Sequence, residues 1–423
     1  MRRAVKKIVL FSIFVILLNA FNPYVAKAKI LYHENSPHFI ETSPEQYLLI
    51  YNKIGEDSGR DVSSEIYARP CYLTVTEFKT HDTEEVLITP TKFVINKTLF
   101  KVQKIDAFYY NGRTMLVFAI ERNDTDFTYF FLQYSDDDGK TWSNYVVLGN
   151  STAFSKDFVW FDSAVLNDEL VLFFSYEVKV IVQTRIFTKM VRYNLQTFEN
   201  STDVTSLSIS LGSDFNLYAY NNLLYVAYTE NNLVKITTTV DGSSFSSGIS
   251  VGAPFQLDLT DANLTEVVAH DVGYLYPSIT RWNNGFYVVA QDISNTTINK
   301  ANRYEMFLWG FWIEDLSKQE TLEFHNVSSP NHDGYYERAP SVTTFRDNVV
   351  VAAEQGPSVE SNKQTREIAF YFSKDGFKWT NAYFGIYTFL KNPAVYYFMG
   401  TLALFVIVFT VNLIMSKVRK RVN

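Results

Sequence analysis

Acidic side chains crowd residues 134–142, which read YSDDDGKTW and hold three aspartates in a row. Neighbouring carboxylates can act as acid and base in a reaction, so this stretch is a first candidate for chemistry. The order of its residues favours a turn instead. Ser135 and Asp137 can accept hydrogen bonds from backbone N–H groups, and Gly139 can adopt the positive φ that ends a strand sharply. We therefore interpret these acids as turn-forming, with Trp142 returning into an apolar layer.

Two further segments repeat this layout with one residue fewer: residues 239–245 (TVDGSSF) and 373–379 (SKDGFKW). We call the three segments the Asp turns. Three turns of one design in a single chain indicate an internal repeat. The residues expected to hold the turns together are Ser135, Asp137, Gly139, Trp142, Thr239, Asp241, Gly242, Phe245, Ser373, Asp375, Gly376 and Trp379.

A second period connects the Asp turns. Five units, each an extended segment, a Gly/Asn/Asp turn and an apolar strand, begin at residues 106, 161, 215, 276 and 339, which lie 55, 54, 61 and 63 residues apart. A repeat of this length has room for four short strands, and residues 29–101 have room for one more, irregular unit. We predict an all-β fold, a six-bladed β-propeller, which closes its sheets radially without the disulfide that the lone Cys71 cannot form. A β-sandwich is the alternative for many short strands, but it does not explain the period.

Both ends of the chain resemble targeting segments. Basic residues, an apolar run and a small-x-small sequence predict a signal peptide over residues 1–28, with an uncleaved anchor as the alternative. Residues 396–415 carry no charge and precede four basic residues, which predicts a transmembrane helix with a cytosolic tail over 416–423; a removed lipid-anchor signal is the alternative. The propeller ectodomain would then cover residues 29–385 and a short stalk 386–395, in a single-pass type I protein whose propeller faces outward from the plasma membrane.

The ectodomain is acidic. The whole chain carries a net charge of −7, and setting aside the five basic residues of the first 28 and the four of the last eight leaves −16. This charge argues against nucleic acid as a partner but not against an anionic sugar, which needs only a local arginine cluster. Seven glycosylation sequons agree with an extracellular location. They are Asn96, Asn123, Asn150, Asn200, Asn263, Asn295 and Asn326.

The Asp turns resemble the Asp-box, or BNR repeat, of the sialidase (neuraminidase) superfamily. That resemblance implies six blades, with the boxes on the face opposite the active site. It also implies a site in which three arginines grip the sugar carboxylate, a Tyr–Glu pair supplies the nucleophile and an aspartate serves as acid and base. The Asp-box aspartates are then structural.

The candidate arginines match the family motif only in part. Arg338 lies in Arg-Ala-Pro-Ser, close to the family's Phe-Arg-Ile-Pro, but in the last repeat where the family has it in the first. Arg69 lies in the first repeat but directly precedes a proline. The candidate ligand-binding residues are Arg69, Arg281, Arg303, Arg338 and Arg366; the candidate nucleophiles are Tyr276 and Tyr336, and their candidate partners are Glu230 and Glu354.

Three functions remain open at this point. The first is a cell-surface sialidase-like glycoprotein that binds glycans, sialylated ones among them, or a partner cell surface. The second is a membrane-anchored exo-sialidase or trans-sialidase that cleaves terminal sialic acid by a retaining tyrosine mechanism. The third is a propeller that scaffolds proteins without binding glycans. No histidine or cysteine spacing predicts a metal site, and no cofactor is expected.

Overall fold

The computed structural model describes most of the chain between residues 31 and 382. The described residues are 31–43, 46–57, 60–73, 78–80, 85–88, 94–95, 98–122, 128–150, 158–180, 183–202, 204–231, 233–251, 274–292, 296–298, 303–305, 308–316, 322–327, 335–345, 347–357 and 367–382. Within these ranges no helix is long and apolar enough to cross a membrane. The predicted signal peptide and transmembrane segment lie outside them.

The described strands form seven antiparallel sheets, six of which are the blades of a propeller. Blade 1 contains β1 (Leu31–Ser43), β2 (Gln46–Asp57), β3 (Arg60–Leu73), β4 (Phe78–Thr80) and β5 (Val86–Leu87). Blade 2 contains β6 (Val94–Ile95), β7 (Thr98–Tyr110), β8 (Arg113–Arg122), β9 (Thr128–Ser135) and β10 (Val146–Asn150). Blade 3 contains β11 (Phe158–Leu166), β12 (Glu169–Val180), β13 (Gln183–Asn194) and β14 (Thr205–Ser206).

The second half of the chain repeats this design. Blade 4 contains β15 (Phe215–Tyr220), β16 (Leu223–Glu230), β17 (Leu233–Thr239) and β18 (Ile249–Ser250). Blade 5 contains β19 (Tyr274–Trp282), β20 (Gly285–Asp292), β23 (Leu308–Ile313) and β24 (Leu322–Asn326), with the small hairpin of β21 (Thr296–Ile298) and β22 (Arg303–Glu305) inserted. Blade 6 contains β25 (Tyr335–Phe345), β26 (Asn348–Pro357), β27 (Glu367–Ser373) and β28 (Trp379–Ala382).

Six inner strands surround the central channel. They are β1, β7, β11, β15, β19 and β25, and each lies against the inner strands of the two adjacent blades. The predicted six-bladed propeller is therefore confirmed. One inner strand, β1, was not predicted from the sequence, because Pro37 and the polar residues around it hide the alternation of a buried strand.

Apolar side chains alternate between the two faces of each blade and so pack against both neighbours. Leu48 and Ile50 of blade 1 belong to the same buried cluster as Phe118 of blade 2. Leu49 and Tyr51, on the opposite face of the same strand, pack with Phe370 of blade 6. Burial between blades thus carries the core around the ring.

Blade 1 closes directly onto blade 6. The Phe39 and Phe370 rings meet edge to face with centroids 5.4 Å apart, and the Tyr47 hydroxyl donates to the Thr344 carbonyl at 3.3 Å. Cys71 is buried and does not form a disulfide. Side-chain packing and hydrogen bonds therefore hold this junction.

The Asp turns adopt the hydrogen-bonded geometry that their sequences indicate. In the first, the Ser135 hydroxyl donates to Asp137 at 2.8 Å and accepts from the Gly139 N–H at 2.9 Å, and Gly139 has φ 82°. Asp137 also accepts from the Thr141 N–H at 2.8 Å. Trp142 packs against the cluster between blades 1 and 2 and donates its Nε1–H to the Gly139 carbonyl.

The second and third Asp turns repeat this arrangement. Asp241 accepts from the N–H groups of Ser243 and Ser244 at 2.8 and 2.7 Å. Asp375 accepts from those of Phe377 and Lys378 at 2.9 and 2.7 Å. Gly242 and Gly376 take positive φ values of 69° and 74°. These aspartates therefore stabilise the turns in which they lie.

Candidate functional site

The channel has two distinct ends. We call the end at which the inner strands begin the upper face, and the end that carries their hairpin turns the lower face. All three Asp turns lie on the lower face, because each follows the third strand of its blade, which runs parallel to the inner strand. A site on the upper face would therefore lie opposite the Asp turns.

One polar side chain from each inner strand contributes to a ring around the channel. We call this set the polar ring: His38, Asp106, Asp162, Asn216, Ser278 and Ser341. At five of the six junctions, the ring residue accepts a hydrogen bond from the backbone N–H of the next inner strand. The donors are Ser163 to Asp106 at 2.8 Å, Leu217 to Asp162 at 2.8 Å, Ile279 to Asn216 at 2.9 Å, Val342 to Ser278 at 3.1 Å and Phe39 to Ser341 at 3.3 Å.

In each of these bonds the donor is the residue directly after the next ring member, so the ring repeats one register around the propeller. At the sixth junction, His38 Nδ1 lies 3.6 Å from Asp106 Oδ1. An inner strand has an open edge toward the channel, and its N–H groups need partners when they are buried. The polar ring supplies those partners.

Local backbone irregularities set the ring residues in place. In blades 1, 5 and 6 a proline directly precedes the ring member, and the residue before that proline has a positive φ: Ser36 at 50°, Tyr276 at 52° and Ala339 at 47°. The strand register shifts at the same three places. A bulge of this kind redirects the side chains that follow it.

The polar ring separates two cavities. The upper chamber has a volume of about 60 Å³ and is lined by Lys104, Trp160 and Tyr276 together with ring residues. The lower chamber has a volume of about 530 Å³ and opens at the hairpin turns. His38, Asn216, Ser278 and Ser341 line both.

Aromatic rings and one cation form the upper chamber. The Lys104 ammonium lies 3.6 Å from the centre of the Trp160 ring, and the Trp160 and Tyr276 ring centres are 5.4 Å apart. Trp160 is fixed by its Nε1–H, which donates to the Phe215 carbonyl at 2.8 Å. The Tyr276 N–H donates to Asp214, which also accepts from the Thr229 hydroxyl at 2.6 Å. The chamber is therefore held rigidly.

Burial dominates the electrostatics below this chamber. It lowers the pKa of Lys104, which the surrounding aspartates oppose, and it raises the pKa of Asp214. The pKa of Asp162 is raised well above its ordinary value, first by burial and then by the charge of Asp106. Burial also lowers the pKa of His38 to about 4. At neutral pH His38 is therefore uncharged, while burial and the charge of Asp106 favour the protonated form of Asp162.

The candidate arginines whose side chains are described lie in different parts of the propeller. Arg338 pairs with Glu354 at 2.5 Å near the upper end of blade 6. Arg69 donates to Glu34 at 3.2 Å, to Glu85 at 3.1 Å and to the Tyr51 hydroxyl at 2.7 Å. Each of these two guanidinium groups thus pairs with carboxylates of its own blade.

Arg281 lies at the other end of the channel. Its guanidinium is 4.7 Å from the centre of the Tyr220 ring and 5.4 Å from that of Phe286, next to the lower hairpin turns. Arg303 lies in β22, where only the backbone is described, and Arg366 lies outside the described residues. A part for Arg303 and Arg366 in an arginine cluster thus stays a prediction. Arg281 lies at the opposite end of the channel from Arg338.

The tyrosine and glutamate candidates are also distributed unevenly. Tyr276 and Glu354 belong to the same upper region: burial is the main cause of the raised pKa of Tyr276, and Asp214 and Glu354 act in the same direction while Arg338 opposes them. Glu230 ends β16 on the upper rim and pairs with Lys235. The backbone of Tyr336 lies in β25, and its side chain is not among those described. We call Lys104, Trp160, Tyr276, Arg338 and Glu354 the upper mouth.

Sequence reasoning missed Lys104, Trp160 and the charged part of the polar ring. Lys104-Ile105-Asp106 stands where an Arg-x-Pro motif would be expected, which was the available signal. Of the seven sequons, only Asn200 has a described side chain, and it is exposed. Use of the sequons therefore stays a prediction.

Solved structures with this fold include a sialidase. The chain superposes on the Trypanosoma rangeli sialidase with a TM-score of 0.50 at 11% identity, over 82% of this chain and 55% of that one, so it spans about half of the sialidase's length. It superposes on a Dyadobacter fermentans protein of unknown function with a TM-score of 0.51 at 9% identity, over 81% and 94% of the two chains. No protein-family model matches the chain, and a search of curated protein sequences finds no match. The likeness confirms a sialidase-like six-bladed propeller and extends to the fold alone.

Proposed function

We propose that this chain is a cell-surface, sialidase-like glycoprotein that binds glycans at its upper mouth without hydrolysing them. The observation that carries this proposal is the grouping of side chains at the upper mouth, where the Trp160 and Tyr276 rings meet beside the Lys104 cation. Aromatic faces bind the apolar faces of sugar rings, and a nearby cation favours a carboxylate-bearing sugar. The rigid hold on Trp160 reduces the ordering that binding would cost.

Loss of hydrolysis is supported by the distribution of the arginines. A carboxylate is gripped best by several guanidinium groups that face one point. Arg69 and Arg338 each pair with carboxylates of their own blade, and Arg281 lies toward the lower face. A ligand carboxylate would have to displace those internal partners, which favours weak, reversible binding over tight positioning for a reaction.

The state of Tyr276 points the same way. A phenol becomes a nucleophile when a base removes its proton or a nearby cation lowers its pKa. Burial raises the pKa of Tyr276, so its hydroxyl stays protonated at neutral pH. Glu354, the candidate base, is itself bound to Arg338 at 2.5 Å.

An exo-sialidase is the second candidate, because Tyr276, Arg338 and Glu354 share the upper mouth. Its test is hydrolysis of a fluorogenic sialoside by the full-length protein, compared with Tyr276→Phe. We expect no difference between the two proteins. Turnover that Tyr276→Phe abolishes would establish the enzyme.

Extracellular placement belongs to this proposal. It rests on the predicted signal peptide, on the predicted transmembrane segment at residues 396–415 and on the sequons. Glycosidase digestion of the protein on intact cells should lower its apparent mass if the propeller faces outward. A mass that changes only after the cells are permeabilised would contradict that orientation.

Binding is tested with the α-methyl glycoside of sialic acid and the full-length protein, by titration calorimetry. We expect Trp160→Leu to weaken binding by about tenfold, because it removes one aromatic face. Trp142→Leu is the matched control: it also removes an indole that donates to a backbone carbonyl, at 3.0 Å to Gly139, but it lies on the lower face. Equal effects of the two substitutions would contradict a site at the upper mouth.

A further inference from the structure

The lower chamber is the larger of the two channel cavities described above, and glycan binding at the upper mouth does not use it. Its volume of about 530 Å³ falls in the range of small-ligand sites, and all six inner strands contribute to its wall. The polar ring forms its floor, and the hairpin turns of blades 3 and 4 form part of its rim together with Tyr109 and Tyr110 at the end of β7. It opens on the face opposite the upper mouth.

The lining of the lower chamber is rich in uncharged hydrogen-bonding groups. Each inner strand pairs within its blade with the second strand, so the other edge of its backbone faces the channel. Hydroxyl and amide side chains add to those backbone groups. They include Asn167, Asn221, Asn222, Thr280, Thr343 and Thr344.

The charge of the wall disfavours an anion. Among the described lining residues, Glu41, Asp106 and Asp168 carry carboxylates, and none is lysine or arginine. A sialic acid carboxylate placed against this wall would meet like charges with no lysine or arginine among the lining residues, which costs free energy. Carboxylates and amides do accept hydrogen bonds from hydroxyl groups, so the same wall suits a neutral polyol.

Tyrosines stand at the rim, and contacts with neighbouring side chains fix Tyr110 and Tyr220. Tyr109 and Tyr220 are 38% and 36% exposed, which leaves ring surface open to a ligand. The Arg281 guanidinium lies 4.7 Å from the Tyr220 ring centre, and the Tyr110 hydroxyl donates to Asp168 of the next blade. Rigid tyrosines combined with asparagine amides supply contact area and adaptable hydrogen bonds at a low cost in entropy.

We propose that the lower chamber is a second binding site, which takes an uncharged saccharide between the rim tyrosines and the open edges of the inner strands. This site is independent of the upper mouth: it lies on the other side of the polar ring and takes a ligand without a carboxylate. The protein would then bind a neutral glycan on one face and a charged one on the other.

The test is titration of the full-length protein with lactose and with N,N′-diacetylchitobiose. We expect at least one of them to bind, and Tyr109→Ala and Tyr220→Ala each to weaken that binding by about five- to tenfold. Tyr145→Ala is the matched control, since Tyr145 is 48% exposed but does not line the chamber. Because Tyr220 also contacts Arg281, Tyr109→Ala keeps the test decisive if Tyr220→Ala fails to fold.

Two results would overturn the proposal: neither disaccharide binds, or binding occurs and the rim substitutions affect it no more than Tyr145→Ala does. Binding of tetramethylammonium in place of the sugars would also overturn it, in favour of a site for cations. The upper-mouth proposal is judged separately, since Trp160→Leu should leave disaccharide binding unchanged and Tyr109→Ala should leave binding of the methyl sialoside unchanged.

Discussion

Replacing Ser278 by alanine tests whether the polar ring stabilises the junction between blades 5 and 6. Ser278 is 7% exposed, and its hydroxyl oxygen accepts the hydrogen bond from the Val342 N–H at 3.1 Å. Alanine removes the acceptor and leaves a buried donor on an open strand edge. An unpaired buried N–H costs about 1–3 kcal/mol, so we expect the free energy of unfolding to fall by about 2 kcal/mol.

The corresponding change in melting temperature is small but measurable. An unfolding entropy of about 2.1 cal/mol/K per residue gives about 0.7 kcal/mol/K for a domain of roughly 350 residues, so the midpoint should fall by about 3 °C. Tryptophan fluorescence of the full-length protein during heating measures it. Ser210→Ala is the control, because its exposed hydroxyl donates to the Ile186 carbonyl at 2.9 Å and water can replace it. Equal shifts for the two variants would refute a stabilising role for the ring.

Three further predictions concern stability. Backbone N–H groups of the second Asp turn hold the pKa of Asp241 well below its ordinary value, so the stability that this carboxylate contributes is complete above about pH 4 and is lost as the pH falls through the pKa of the folded state. Asp241→Ala should therefore lower the free energy of unfolding by about 1 kcal/mol at pH 7 and by progressively less in acid. A loss that does not depend on pH would contradict this. Gly376→Ala should lower the free energy of unfolding in urea more than Gly112→Ala does. Both glycines have a positive φ, but a Cβ on residue 376 would lie 2.9 Å from Trp282, whereas one on residue 112 would meet nothing within 4 Å. Equal losses of stability in the two variants would count against close packing at Gly376. Burial lowers the pKa of His38 from about 6.5 to about 4, so up to about 3 kcal/mol of stability present above pH 6.5 should be lost as the pH falls to 4. His38→Gln should remove this dependence; if the melting midpoint of the variant falls between pH 7.5 and pH 4.5 by as much as that of the unsubstituted protein, the prediction is refuted.

The fold could be predicted because its signals are local. Each Asp turn carries its hydrogen-bond acceptors and its glycine within a few residues, so the sequence alone indicates the strand end. Alternating apolar residues around Gly/Asn/Asp turns then fix the inner hairpins, and their spacing gives the number of blades. β1 escaped this reasoning because its Pro37 and neighbouring polar residues serve the channel rather than a buried sheet face.

The polar ring could not be predicted, because its members share a register and not a residue type. His38, Asp106 and Ser278 have little in common chemically, yet each occupies the corresponding place on its inner strand. Only the three-dimensional alignment of six strands reveals the pattern. The upper mouth was difficult to predict for a related reason. Lys104 does not match an arginine motif, and the Trp160 ring that it contacts lies on a different blade.

The sequence did not indicate at which end of the channel each candidate site residue lies. Arg281 and Tyr276 belong to the same inner strand, but one is near its lower end and the other near its upper end. Sequence identifies a residue as part of an inner strand more easily than it assigns the residue to one mouth. A register relative to the polar ring makes that assignment: residues before the ring member lie toward the upper face, and residues well after it lie toward the lower.

Each Asp turn packs closely against the preceding blade. They occur in blades 2, 4 and 6, and each presses its glycine onto the preceding blade: a Cβ on Gly139, Gly242 or Gly376 would lie 2.5 to 2.9 Å from Leu48, Met190 or Trp282.

Blade 3 keeps the same contact without the motif. Asn194 accepts from the N–H groups of Gln196 and Thr197 at 2.8 and 3.1 Å, and the Phe198 ring stacks on Tyr134 of blade 2 with centroids 5.7 Å apart. In blade 5, Leu316 packs against the cluster between blades 4 and 5. What the fold requires at this corner is therefore an apolar side chain placed on the preceding blade, and the Asp turn is one of several sequences that supply it. Erosion of the motif in blades 3 and 5 consequently bears on how those corners are built and not on whether the opposite face retains a reaction.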